Sequence, residues 1–190
     1  MGNACYKNDD VPSAILYYEK AHKLAPGDED INFNLRFAYS KITDKIESAP
    51  EFFLANWWRA FILVISARGL AILSVILFLA ASASLVNYFF AVAVKVKKSC
   101  FYTAIISFVV GLIAVFMAAM QMDYFNSHRQ AIIFSSSAIV KSAPAEKAGG
   151  LFVLHEGTKV DISGDSNGWI KIKLANGNEG WIKEGDVKEI

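Results

Sequence analysis

The sequence has little of what builds disulfide frameworks, metal centres or nucleophilic active sites. Its 190 residues include two cysteines and three histidines. Cys5 and Cys100 fall in different regions, so they suggest neither a bridge nor a metal pair. No Ser/His/Asp or Cys/His set comes together, so the chain is not expected to be an enzyme, and no cofactor or metal is expected. Excess charge is also lacking. A net charge of +1 gives no footprint for nucleic acid. The polar start, Met1 to Asp10, has none of the apolar core of a signal peptide. Two stretches, Gly69–Val94 and Ser99–Met122, have no charged residue at all.

Those two stretches organise the rest. Each exceeds the ~20 residues with which a helix crosses ~30 Å of hydrocarbon, and neither has a polar face. Between them stands KVKK, whose charges are Lys95, Lys97 and Lys98. A four-residue connection joins antiparallel helices and leaves no room for a domain. The prediction is a transmembrane hairpin, 69–122, with spans 69–94 and 99–122. Ser82, Ser84 and Gly111 would let the helices approach closely. With no carboxylate, Arg or Lys inside the spans, a transporter or channel core is not expected.

Residues 1–48 read as helical. Asn8, Asp9 and Asp10 signal a turn before Pro12, and Pro12 is tolerated in a first helical turn. Val11, Ala14, Ile15, Tyr18, Ala21 and Leu24 then share a face, and Pro26-Gly27 closes the helix. Asp28 is a good N-cap for a second helix with Ile31, Leu35, Ala38 and Ile42 on its buried side. Lys41, Asp44, Lys45 and Glu47 read as an exposed face, and His22 as a solvated side chain. Gly2, Ala4, Tyr6, Ala14, Tyr18, Ala21 and Pro26 resemble the spaced signature of a tetratricopeptide repeat, in which small residues mark close helix approach. The match begins late in the first helix of one repeat. A single repeat leaves an apolar face open, because ~3 make a stable array. Upstream repeats or a covering partner protein are the two expected remedies.

After Pro50, residues 49–68 have an interfacial composition. Trp57 and Trp58 keep an apolar body in lipid with N–H in water, and Arg59 stands beside them. The reading is an amphipathic helix lying in the bilayer surface. The competing reading, a third span over 52–67, is 16 residues long with Arg59 near its centre. That placement costs at least ~2.5 kcal/mol. With two spans both termini share one side. Three loop lysines, set against Arg59, Arg68 and Arg129, place the loop in the cytoplasm and both ends outside.

Beyond a polar linker, 123–137, helical periodicity gives way to closely spaced turn signals and short alternating runs. Ile170, Ile172 and Leu174 alternate with Lys171 and Lys173. Five or so short strands predict a small barrel over 138–190, closed or nearly so to hide its edges. Val140, Ser142, Pro144, Leu154, Gly157, Val160, Gly168-Trp169, Ile172, Gly177, Gly180-Trp181-Ile182 and Val187 resemble a bacterial SH3-like (SH3b) domain. Lys183 stands where many relatives have Pro. By parity Trp169 points with Lys171 and Lys173 away from the isoleucines. Those three are the candidate ligand or partner contacts, although packing is the heavier of the two readings for Trp169. Trp181 reads as structural and His155 as a hydrogen-bonded turn residue.

The order of segments defines the expected fold class: a multi-domain membrane protein with an α-helical tetratricopeptide-type repeat, a two-helix transmembrane hairpin and a C-terminal SH3-like β-barrel. That order, with GNACYK, AILYYEKAHKLAP, the Trp57-Trp58 pair and LFVLHEGTKV, resembles the BatE group of the Bat aerotolerance family. The resemblance implies a bacterial inner-membrane, multi-pass adaptor with both ends in the periplasm. Its implied partners are von Willebrand-type membrane proteins of the same system and the lipid bilayer. Peptidoglycan is the alternative ligand, which would make the chain a cell-wall tether.

Overall fold

The structure, a computed structural model, describes residues 1–46, 57 and 63–190. The chain divides into two compact units, Met1–Ala60 with Phe125–Ile190, and Phe61–Tyr124.

The first unit opens with three helices, α1 (Gly2–Lys7), α2 (Val11–Leu24) and α3 (Glu29–Tyr39). Asp10, within the expected turn, caps α2 through the Ser13 amide, and Asp28 caps α3 through the Ile31 amide, as the sequence signals. Gly2 lies so close to Tyr18 that a Cβ there would come within 2.6 Å of the ring. Ala14, Ile15, Leu16, Tyr18 and Ala38 are buried, whereas Leu24, expected on the apolar stripe, is 72% exposed. Helix α3 ends at Tyr39, before Ile42.

The other part of this unit is an antiparallel sheet of seven strands, β1 (Gln130–Ile133), β2 (Ser137–Lys141), β3 (Gly150–His155), β4 (Lys159–Ser166), β5 (Trp169–Lys173), β6 (Glu179–Lys183) and β7 (Val187–Glu189). Among the described residues they run in the order β3-β2-β6-β5-β4-β1-β7, so the sheet does not close, where a closed or nearly closed barrel is expected, and β3 and β7 stand at its ends. The stretch read as a linker, 123–137, contains β1 and the start of β2. β1 is a central strand between β4 and β7, with Ala131, Ile132 and Ile133 fully buried. Four residues between polar neighbours are too short to show a period of two, which is why this strand was illegible.

One face of the sheet buries Val140, Leu154, Val160, Ile170, Ile172, Leu174, Ile182 and Val187. Ile132, on β1, packs instead with Ala14, Ile15, Leu16, Tyr18 and Ala38. The helices and the sheet therefore share a core inside one unit. The apolar face that called for upstream repeats or a partner is covered, at least in part, by the chain's own β1.

The second unit is a helical hairpin, α4 (Ala67–Phe90) and α5 (Val94–Ser127). Both helices are long and apolar enough to cross a membrane. Most of their large side chains face outward, Leu79, Phe89 and Phe116 among them. The expected loop 95–98 is displaced: α5 begins at Val94, so Lys95, Lys97 and Lys98 lie in its first turns and Ala91–Ala93 make the connection. Val94 and Val96 continue the apolar run of the span, and nothing in KVKK breaks a helix. The second helix likewise extends past Met122 to Ser127. Small residues line the contact between the helices: Ser74 and Ala81 on α4, and Ala104, Gly111 and Ala114 on α5. The steps 74–81 and 104–111 are both of seven residues, the spacing of a continuous helix–helix seam. A Cβ at Gly111 would come within 2.9 Å of the Phe78 ring. Ser74 and Ser82 donate to the Ala71 and Phe78 carbonyls of their own helix, so their hydroxyls are satisfied without water. The interfacial helix expected over 49–68, with Trp58 and Arg59, lies largely outside the described residues.

The shared core predicts that Ile15→Ala, at a fully buried position, costs about 2–5 kcal/mol. It should lower amide protection in β1 as well as in α2 when hydrogen exchange is followed on the full chain. Exchange that rises only in the helices would show the two parts to be independent.

Candidate functional site

Two groups of side chains in the first unit go beyond simple burial. One joins the N-terminal segment to the sheet. From Lys41 to Ile46 the chain is irregular but alternates: Ile42, Asp44 and Ile46 are half-buried, and Lys41, Thr43 and Lys45 are exposed. Ile46 packs against the sheet core and Ile42 against the helix core. Between them Asp44 grips the turn after β3. Its Oδ2 accepts from the His155 amide at 2.7 Å and the Thr158 hydroxyl at 2.8 Å, and its Oδ1 lies 2.8 Å from His155 Nδ1. Burial works against the carboxylate, but these partners outweigh it and hold Asp44 below the ordinary range. Gly157, at φ +85°, closes the same turn, and a Cβ there would sit 2.6 Å from Ile42. Only glycine meets both demands.

A second bond parallels the first. Glu19 of α2 is 4% exposed and accepts from Lys159 Nζ at 2.8 Å and from the Tyr39 hydroxyl at 2.6 Å. Burial, reinforced by the Glu19 charge, raises the Tyr39 phenol far above its usual value and keeps it a donor. Lys23 Nζ donates to the Ile190 carbonyl at 2.9 Å. Asp44 is therefore not part of an exposed helix face. His22 is half-buried, not solvated, and among the described residues its Nδ1 has no hydrogen-bond partner. His155 is the hydrogen-bonded turn residue expected.

The other group lies on the opposite face of the sheet. Trp169, Lys171 and Lys173 alternate with the buried Ile170 and Ile172, as their parity predicts. Register sets Trp169 opposite Lys183, Lys171 opposite Trp181 and Lys173 opposite Glu179, and Lys141 of β2 flanks Trp181 on its other side. Trp169 is not an open aromatic surface, however. It is 9% exposed, with Lys141 and Lys183 ammonium groups 5.3 and 5.9 Å from its ring centroid. Glu146 ties the two lysines together, 2.6 Å from Lys183 and 3.5 Å from Lys141, and Lys141 also donates to the Glu146 carbonyl. The loop between β2 and β3 is thereby strapped above the tryptophan. Parity gave the face; the loop that covers it could not be read from alternation. Lys171 pairs with Glu179 at 2.9 Å, and Lys173 is 3.9 Å from the same carboxylate with half its side chain exposed. Lys171 holds Glu179 below the usual carboxylate range. Half-buried Trp181, which sequence reasoning set aside as structural, is the more accessible indole of the face.

In the hairpin unit Lys97 sits 5.2 Å from the Tyr88 ring centroid, while Lys95 and Lys98 are exposed. Trp57 is exposed, and Trp58 and Arg59 lie outside the described residues. Among the described residues no group of three His, Cys, Asp or Glu side chains could hold a metal ion.

Comparison with known proteins matches residues 136–188 to the family described as Bacterial SH3 domain. No curated protein matches the chain. The match starts after β1, so it covers β2 to β6 and the first two residues of β7, and omits β1, whose Ile132 packs on the helices.

The clasp has a pH signature. Asp44 is depressed in the folded state, so its contribution is complete above the unfolded value of about 3.9. It is lost as pH falls through the lower folded value. Asp44→Asn should lower the melting temperature at pH 7, by about 1–3 kcal/mol in stability, because two donors lose their anionic acceptor. The variant should also flatten the fall in stability below pH 4. An equal deficit at pH 3 and pH 7 would remove the carboxylate from this role.

Proposed function

We propose that this chain is a membrane-anchored envelope adaptor, a binding protein rather than an enzyme. The helical hairpin is its anchor, and the unit of helices and sheet presents a tryptophan–lysine face to partner proteins. The observation that carries the reading is the row Lys141–Trp181–Lys171 across three paired strands, on the face away from the core. Lys171, 39% exposed, beside an indole suits carboxylate-bearing, partly apolar ligands. The Bacterial SH3 domain match supports binding in general. The resemblance to the Bat family supports von Willebrand-type membrane proteins as the partners, and the bacterial inner membrane as the location. Peptidoglycan, whose peptides also carry carboxylates, is the competing ligand.

Asp44 and His155 are bonded to each other, so the segments before and after the hairpin lie on one side of any bilayer it crosses. An even number of spans between residues 44 and 155 satisfies this, and α4 and α5 supply two. The positive-inside bias supports the periplasm as that shared side. Single cysteines introduced at Ser40 and Asn176, both exposed, should label together from outside intact cells. Labelling from opposite sides would refute the topology.

The binding test uses the full chain in lipid nanodiscs, titrated with a purified von Willebrand-type domain and, separately, sedimented with cell-wall peptidoglycan. Trp181→Ala and Lys171→Glu should each weaken the true ligand by about 1 kcal/mol or more, since aromatic and cationic anchors dominate small interfaces. Trp169→Ala, by contrast, should lower the melting temperature. Binding of peptidoglycan alone would make the chain a wall tether. Binding that survives both face variants would move the site elsewhere.

A further inference from the structure

Two adjoining cavities of the hairpin go beyond what anchoring requires. The larger, of about 590 Å³, is a groove lined from both helices, with Phe78 and Leu85 on α4 and Ile105 and Phe108 on α5. Its one polar lining side chain, Ser82, already donates to the Phe78 carbonyl, so the groove offers an apolar surface throughout. The smaller cavity, of about 250 Å³, lies at the hairpin tip, lined by Tyr88, Val94, Lys97, Lys98, Phe101 and Tyr102. Phe101 borders both, so the groove leads up to the basic pocket. From Lys97 to Phe108 α5 rises about 16 Å at 1.5 Å per residue. That is close to half of the ~30 Å hydrocarbon layer, the depth of one leaflet.

The charges at the tip indicate the occupant. Lys97 is half-buried, with its ammonium 5.2 Å from the Tyr88 ring centroid, and Lys98 is exposed. Among the described residues neither lysine has an ion-pair partner. The whole stretch 67–122 contains no Asp or Glu. Two uncompensated cations and the Tyr102 hydroxyl, a further donor, therefore stand at headgroup level above an apolar groove one leaflet deep. We propose that the hairpin binds an anionic glycerophospholipid, with its phosphate on Lys97 and Lys98 and one acyl chain along the groove between Phe78 and Phe108. Charge complementarity selects this occupant over a third helix, which would fill the groove and leave the cations unpaired. The site rests on the hairpin being the anchor proposed above. It differs from the general attraction of lysines to an anionic leaflet because it requires the groove as well.

The test places the full chain in nanodiscs of phosphatidylglycerol and phosphatidylcholine in equal amounts and weighs the lipid it retains by native mass spectrometry. Phosphatidylglycerol should be retained in preference to phosphatidylcholine. Lys97→Gln and Lys98→Gln should each lower that retention about fivefold. Lys95→Gln should leave it unchanged, because that exposed lysine does not line the pocket. Leu85→Trp, at a 48% exposed position, should fill the groove and lower retention as much without any change of charge. Free glycerol phosphate should not displace the lipid. Equal retention of the two lipids, a loss with Lys95→Gln as large as with Lys97→Gln, or indifference to Leu85→Trp would each overturn the proposal. So would displacement by glycerol phosphate, or lipid-free dimers, which would give the groove to a second copy. Flotation with vesicles after an alkaline wash separates the two levels of failure. A chain that leaves the vesicles refutes the anchor and the site together, and one that floats without selecting phosphatidylglycerol refutes the site alone.

Discussion

An open antiparallel sheet leaves the margins of its apolar face exposed to water unless something is laid over them. Here the cover is the extended run Ile42–Asp44–Ile46, fastened to the turn after β3 by one carboxylate with three polar contacts. The remaining architecture of this unit follows. Ile42 needs Gly157 to lack a side chain, Ile46 completes the sheet core, and α2 packs Ile15 near Ile132 of β1. The buried Glu19–Lys159 pair adds registry more than net stability, since desolvation offsets most of its attraction. Removing Lys159 would be costly all the same, because Glu19 would be left buried and charged.

What the sequence revealed divides along a physical line. Signals that depend on neighbours in the chain were readable: the cap at Asp28, the period-two run of β5, and the two long apolar helices. So was the bacterial SH3 resemblance, which rests on glycines and tryptophans spaced along one segment. What depends on contacts more than 100 residues apart was not. Asp44 looked like one member of a solvated charged face because its partners, His155 and Thr158, are remote. β1 looked like linker because four residues cannot display alternation. The lysines of KVKK looked like a loop because charge was read as a break, although lysine is a good helix former.

The tryptophan–lysine face shows how far parity carries an argument. Alternation correctly placed Trp169, Lys171 and Lys173 together, opposite the isoleucines. It could not rank them by accessibility, because that depends on Glu146, held by Lys141 and Lys183 above the Trp169 ring. Glu146 is exposed and held below its usual carboxylate range, first by its hydrogen bond to Lys183. The strap over Trp169 is therefore sensitive to salt, whereas the core beneath it is not.

The unit that holds the clasp is assembled from the two ends of the chain, with a hydrophobic hairpin threaded between them. During synthesis the segment around Asp44 leaves the ribosome more than 100 residues before His155 does. Until then Ile15, Ile42 and Ile46 have no sheet to rest on. A nascent chain stalled within the hairpin would expose these side chains to chaperones and proteases. Completion of this unit therefore waits on the whole hairpin, and a chain cut short within it carries half a core.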